Sequence, residues 1–234
     1  MPKTIRNKTD PLNIFYQETK QFEFEVGIDE AGRGPMFGRV YAAAVILPKG
    51  NEFKFHEMKD SKRFYSDKKL IETADYIKEN SLCWSVKYTD EKVIDAINIR
   101  QATLNTMHQC IKDIYVKLKS IEGYNKISLL LVDGNDFKPF MFFDISNNAY
   151  EQLNHVCVEG GDNKYVSIAA ASILAKVERD RYIKDMCVKH PELVERYKLD
   201  KNKGYGTKNH IDGINMYGIS EWHRKTYGIC QKYA

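Results

Sequence analysis

Four acidic residues stand where carboxylates can do chemistry. Asp29 and Glu30 adjoin at the point where an alternating run meets Gly32-Arg33-Gly34; Asp133 follows the apolar run Leu129 to Val132 and precedes Gly134; Asp162 follows Gly160 and Gly161. Neighbours in a regular strand point to opposite faces, so Asp29 and Glu30 share one site only if the strand ends there, and the glycines allow such an end. The carboxyl end of a strand in a sheet of α/β character is where ligands usually bind. Carboxylates gathered in one pocket repel one another unless a positive charge neutralises them. Hard divalent cations, Mg²⁺ or Mn²⁺, do this with oxygen ligands. Two such ions clamp a phosphodiester, one activating water and the other stabilising the leaving oxygen. Two of the acids also have a plain alternative, Asp133 as a turn residue and Asp162 as a turn residue or helix-end charge; the adjacent pair Asp29-Glu30 before a glycine turn is less easily dismissed. Spacing alone does not bring the four together.

The elements that must carry these acids are legible from periodicity. Phe22 to Ile28 alternates at period two, Val40 to Leu47 is a continuous apolar run closed by Pro48, and Leu82 to Tyr88 is a third strand-like run. Three strands in sequence predict an antiparallel meander. Lys126 to Val132 is apolar on both faces, which predicts a covered, central strand. Helical patterns cover Lys68 to Lys78, Asp90 to Leu118 and Tyr165 to Val188, the last with alanines at 169, 170, 171 and 175 that suit a helix packed close to a sheet. Two shorter helices are expected at Pro191 to Tyr197 and Lys208 to Tyr217, the second with Thr207 as N-cap and Gly218 just past its end. The expected architecture is an α/β fold with a central mixed sheet flanked by helices. Its organisation is read as a polar arm over 1–21 and one catalytic domain over 22–234, with 191–234 as a helical C-terminal appendage.

Composition removes several classes. Hydrophobic content of 43% with 29% charged residues excludes disordered and fibrous chains. Five scattered cysteines without a C-x-x-C pair argue against a disulfide framework or structural zinc and fit a reducing cytoplasm. Residues 1–21 carry no apolar core run, and the longest apolar stretch, Tyr41 to Leu47, is too short to span a bilayer, so a soluble intracellular protein without a membrane partner is expected. A net charge of +4 is compatible with an anionic partner without requiring one.

The motifs themselves resemble those of a family. Gly27-Ile28-Asp29-Glu30-Ala31-Gly32-Arg33-Gly34-Pro35, Asp60-Ser61-Lys62, Asn98 to Thr103, Val132-Asp133-Gly134, Ser167 to Asp180 and Lys203-Gly204-Tyr205-Gly206-Thr207 are similar, block by block and in order, to the type 2 ribonucleases H. The resemblance implies a ribonuclease H-like fold and a metal-dependent endonuclease that hydrolyses the RNA strand of RNA/DNA hybrids and cuts at ribonucleotides embedded in duplex DNA, leaving 5′-phosphate and 3′-hydroxyl ends. It implies Asp29, Glu30, Asp133 and Asp162 as catalytic, metal-binding acids, with Mn²⁺ or Mg²⁺ as cofactor. It further implies Gly32, Arg33 and Gly34 at the ribose 2′-hydroxyl, Tyr205 as the substrate-sensing tyrosine, and Lys62, Asn98, Ser172 and Lys176 near phosphate or backbone. Gly160 stands where many members carry a lysine and Arg39 where a proline is usual, so Asp136 and Asp180 are the alternatives to Asp162. The sister group, ribonuclease HIII, has an extra N-terminal domain and a glutamate as fourth acid; the short arm and Asp162 place this chain with ribonuclease HII, expected as a monomer.

Rival readings are weaker. Gly32 to Gly38 approaches a dinucleotide-binding glycine fingerprint, but a strand rather than a helix is expected to follow. Tyr205, Trp222 and Tyr227 among basic residues suit a non-enzymatic nucleic-acid binder, for which clustered acids would repel phosphate. There is no G-x-S-x-G, and no histidine pairs recognisably with serine or cysteine; His210 and His223 read as capping or surface residues.

Overall fold

The computed structural model describes residues 11–17, 23–50, 52–120, 126–144 and 148–234. Phe22 and most of the polar arm lie outside the described residues. Three strands, β1 (Glu23–Ala31), β2 (Val40–Ile46) and β3 (Cys83–Thr89), form the antiparallel meander; α1 (Asp67–Asn80) intervenes before β3. Two further strands, β4 (Lys126–Asp133) and β7 (His155–Val158), add in parallel, giving the order β3-β2-β1-β4-β7. β4 is buried on both faces, Ile127, Leu130 and Val132 in one apolar cluster and Leu129 and Leu131 with Ile168 in another, as its two-faced apolarity requires, although β1 holds the middle of the sheet. A separate hairpin of β5 (Met141–Asp144) and β6 (Ala149–Gln152) lies between β4 and β7 in sequence.

Helices cover both faces. On one, α3 (Ile99–Lys119) presents Leu104, Met107, Cys110, Ile111 and Ile114 to Phe24, Val26 and Ile28 of β1 and to Leu130 and Val132 of β4. On the other, α1 and α4 (Val166–Lys189) cover Ala43 and Val45 with Leu70, Ala74, Ala169, Ala170 and Leu174. Helix α4 lies so close to β1 that a Cβ on Gly27 would sit 2.1 Å from the Ser167 carbonyl carbon, and only glycine fits there.

The helical pattern over Asp90 to Leu118 is two helices, α2 (Glu91–Ile97) and α3, broken at Asn98. Asn98 combines a positive φ of 68° with an extended ψ of 161°, which no helix continues through, and its side chain accepts from Gln101 N–H, so one residue ends one helix and caps the next. After α4 come α5 (Pro191–Tyr197), α6 (Leu199–Asn202) and α7 (Lys208–Tyr217). Thr207 stands at the N-cap of α7 without a side-chain capping bond, and Gly218 ends the helix at φ 75°. Leu193, Tyr197, Leu199, Ile214 and Cys230 pack around Phe37 and the end of α4 in a third apolar cluster.

Candidate active site

Strand register brings the acids together. Ile28 pairs with Val132 across the parallel β1–β4 ladder, so Asp29 and Asp133, each the next residue, leave adjacent strands at the same level and on the same face. On β4's other side Asp133 pairs with Val158. The expected strand end at Asp29 and Glu30 is only half realised. β1 continues to Ala31 against β2, while its ladder with β4 stops at Ile28, and the sheet opens there. Asp29 faces α4; Glu30, with the parity of Ile28, faces α3. There it lines a cleft of about 140 Å³ with Arg33, Arg100, Thr103, Asp133 and Asp136. The carboxylates thus straddle the sheet's open edge.

Asp162 reaches the same place from a single 3₁₀ turn, Gly161–Asn163. Gly161 N–H donates to Asp133 Oδ1 at 2.6 Å, and a Cβ on Gly161 would meet Ile168 at 2.5 Å, so glycine allows the turn to close on Asp133. Asn163 Nδ2 bridges Asp162 (3.1 Å) and Asp60 (3.3 Å). Asp60, an acid whose role the sequence reading left unassigned, caps the short helix Ser61–Arg63 by accepting from Lys62 N–H and joins the rim.

The electrostatics are those of an undercompensated anionic site. Burial, then Glu30 and Asp133, push the Asp29 carboxyl well above the ordinary range, against the bonds it accepts from Ser172 and from Glu30 N–H. Burial also raises Glu30, with Arg33 (Nη1 at 3.3 Å) opposing it. Asp162 is raised by burial and then by Asp60 and Asp133. Lys62 reports the cluster from the cationic side: burial works against its charge, but Asp60, Asp162, Asp29 and Asp133 outweigh it and lift its pKa.

All the donors are hard carboxylate oxygens, which fits Mg²⁺ or Mn²⁺. As the side chains stand, no three His, Cys, Asp or Glu groups among the described residues converge on one ion-sized point. Asp133 is engaged by Gly161, Glu30 by Arg33 and Asp162 by Asn163, so binding would require these carboxylates to turn inward.

The remaining expected residues divide. Lys62 faces the acids. Ser172 is buried, bonded to Asp29 and 3.2 Å from Ser61 Oγ, and so holds an acid from behind rather than facing solvent. Asn98 is exposed at the start of α3, whose first turns line the cleft. Lys176 is turned away, 2.5 Å from Asp180. Lys176 and Asp180, four residues apart on α4, belong to a half-buried network in which Arg179 and Lys203 also bind Asp180. Asp180 and Asp136, the alternatives to Asp162, are spoken for: Asp136 takes a two-pronged bond from Arg100 at 2.5 and 2.7 Å.

Tyr205 and the Gly32–Gly34 loop meet. The Cβ position of Gly34 lies 3.5 Å from Tyr205 Cε1, the tyrosine is 48% exposed, and Arg179 sits 5.3 Å from its ring centre. Sequence reasoning missed what holds the loop. Arg224, fully buried, donates to the carbonyls of Gly38 (2.8 Å), Arg33 (3.0 Å) and Gly32 (2.6 Å). Tyr227 Oη donates to Arg33 O as well. An Arg-Lys-Thr-Tyr run near a chain end carries no pattern that distinguishes such a clamp from a basic surface. His210 and His223, read from the sequence as capping or surface residues, are fully buried.

A mixed five-stranded sheet with carboxylates at the open ends of two parallel strands, facing a lysine and a glycine-rich loop, defines a metal-dependent hydrolase of the ribonuclease H class. The family model for ribonuclease HII matches residues 26–230. The ribonuclease HII of Parabacteroides distasonis is 40% identical over 92% of this chain and 94% of its own length, and that of Bacteroides thetaiotaomicron 39% identical over 88% and 90%. The crystal structure of ribonuclease H2 from Pyrococcus horikoshii shares the fold, with a TM-score of 0.64 at 24% identity over 90% of this chain and 96% of that one. This chain belongs to the ribonuclease HII family and is a ribonuclease H-type endonuclease acting on RNA/DNA hybrids. None of its described helices is long and apolar enough to cross a membrane.

Proposed function

We propose that this enzyme cuts both RNA/DNA hybrids and duplex DNA carrying embedded ribonucleotides, with Asp29, Glu30, Asp133 and Asp162 holding two divalent ions, Mn²⁺ or Mg²⁺. The observation that carries this reading is the placement of Asp29 and Asp133 side by side at the ends of parallel strands, with Asp29 buried and repelled by its neighbours. Such an arrangement is costly unless cations are bound. When bound, the ions would supply water activation and stabilisation of the leaving oxygen. Lys62 adds fixed positive charge beside the phosphate path, and Ser172 fixes Asp29's orientation.

Substrate choice rests on the Gly32–Gly34 loop and Tyr205. A 2′-hydroxyl both donates and accepts, so backbone groups can read it. Arg33 O already accepts two bonds, from Arg224 and Tyr227, and Gly32 O one, from Arg224, which leaves the second lone pair of Gly32 O and the loop N–H groups as readers. Tyr205, packed near Gly34, would lie against the sugar and admit a ribonucleotide followed by a deoxynucleotide. The test is cleavage of a duplex with one ribonucleotide beside a continuous hybrid, in Mg²⁺, Mn²⁺ or chelator. Cleavage of both with either metal and of neither with chelator is expected; activity in chelator, or none on the single ribonucleotide, overturns the reading.

A further inference from the structure

The buried His210–His223 pair has no role in the site described so far, and its hydrogen bonds fix every proton on it. His210 Nδ1 lies 3.0 Å from the Tyr205 carbonyl oxygen, which can only accept, so Nδ1 carries a hydrogen. A neutral His210 then offers a lone pair at Nε2, and His223 Nε2, 3.0 Å away, must donate to it. His223 Nδ1 is left as an acceptor, and Ser220 N–H (2.9 Å) and Ser220 Oγ (2.8 Å) both address it. Adding a proton to either ring would set one N–H against another. Burial, followed by His210, depresses His223 to about 3, and burial lowers His210, so both rings stay neutral.

This chain of bonds ends on the backbone of the tyrosine. Tyr205 sits on a loop whose preceding residues, Lys203 and Gly204, both have positive φ (50° and 83°), and its half-exposed ring meets only Gly34 and Arg179 among the neighbours described above, so its placement depends on how the backbone is held. Its carbonyl accepts from Thr207 N–H as well as from His210. His223 is followed directly by Arg224, which clamps Gly32 and Arg33. Two consecutive residues therefore hold the two loops that flank the proposed ribose position. A fully apolar packing of these side chains would avoid burying four ring nitrogens, so burial alone gives no reason for the pair, whereas its directed bonds fix the position of what they reach.

We propose that His223 and His210 form a neutral relay that positions Tyr205 against Gly34, and thereby sets the enzyme's selectivity for a single ribonucleotide over a continuous hybrid. This rests on the reading of Tyr205 given above. The relay and that reading are tested separately.

Nitrogen NMR of the ¹⁵N-histidine-labelled protein at neutral pH should show His210 as the Nδ1–H tautomer and His223 as the Nε2–H tautomer; any other pair of states overturns the relay whatever the activity. Kinetics then test its purpose. His210→Phe should lower kcat on the single-ribonucleotide duplex about tenfold relative to the hybrid with KM little changed, a loss of transition-state positioning. His210→Asn, which keeps a donor toward Tyr205 O, should restore most of that ratio. In the Tyr205→Ala background His210→Phe should cost nothing further. Equal losses on both substrates, or losses that add to those of Tyr205→Ala, overturn the positioning role. An unchanged ratio in Tyr205→Ala alone overturns the tyrosine reading and the selectivity role with it, while leaving the tautomers standing. Should the phenylalanine variant fail to melt cooperatively, the wild-type spectrum and the asparagine variant decide.

Discussion

Near its start α4 supplies Ser172 to the buried Asp29; about two turns further on the same helix carries Asp180. Both carboxylates are largely buried, yet they are set in opposite ways. Asp29 is pushed up by burial, Glu30 and Asp133. Asp180 resists burial because Lys176 and Lys203 hold it below the ordinary carboxylate range. The first group keeps a repulsion that a bound cation can relieve, and the second has cancelled its own. Acidic residues in one helix neighbourhood therefore separate into a site and a brace by the charges that meet them, which spacing does not display.

The largest effect expected from this contrast is on activity. Asp133→Asn should lower cleavage by on the order of 10²–10³, the scale lost with one charge-stabilising group, with its melting temperature held or raised because a repulsion is gone. Full activity would remove Asp133 from the site. Asp180→Asn should do the reverse: it strands Lys176 and Lys203 and should cost about 2–3 kcal/mol, discounted for the partial exposure of the lysines, or roughly 5–10 °C in melting temperature. Chemistry on properly folded enzyme should persist. A variant that melts normally but is inactive would move Asp180 from brace to site.

A smaller effect is expected from metal. At about a hundredfold over its dissociation constant, an ion binding only the folded site adds roughly 2.7 kcal/mol. Calorimetry should therefore show Mn²⁺ raising the melting temperature of the wild type and much less that of Asp133→Asn. Equal shifts would place the ion elsewhere.

The smallest is a pH effect in chelator. Folded-state values raised above the unfolded ones, as for Asp29 and Asp162, contribute stability that is full below the unfolded value and lost as pH rises through the folded one. Asp180, depressed, contributes in the opposite sense, and its stability is lost only as pH falls below the ordinary carboxylate range, about 4. Stability should therefore rise as pH falls toward the ordinary carboxylate range, with a shallower slope in Asp29→Asn. The same slope in both proteins would mean that Asp29 does not carry the repulsion.

Periodicity made the meander, β4, α1, α4, α5 and α7 legible because each buries a regular face. It missed β5, β6 and β7, four residues each, which are too short to show a period, and the break at Asn98, where the apolar pattern runs on across a single residue of positive φ. In the site, the acids stood out as acids beside glycines. Their adjacency depends on the Ile28–Val132 register, a long-range pairing that local pattern does not encode. His210 and His223 were misread because polarity was taken for exposure, whereas each satisfies the other. Arg224 escaped because its partners are carbonyls, which every residue has.

The Arg224 clamp also has a consequence for the order in which the molecule is made. Its bond to Gly32 joins residues 192 apart, among the longest-range bonds of the described residues. All four acids are synthesised by residue 162, whereas the clamp needs residue 224. During synthesis the sheet edge and its carboxylates are available for folding before the glycine loop has anything to hold it. Long-range closures of this kind are the slow ones. A nascent chain thus acquires the groups proposed for cutting by residue 162, before residue 224 supplies the support for the loop proposed to choose what is cut.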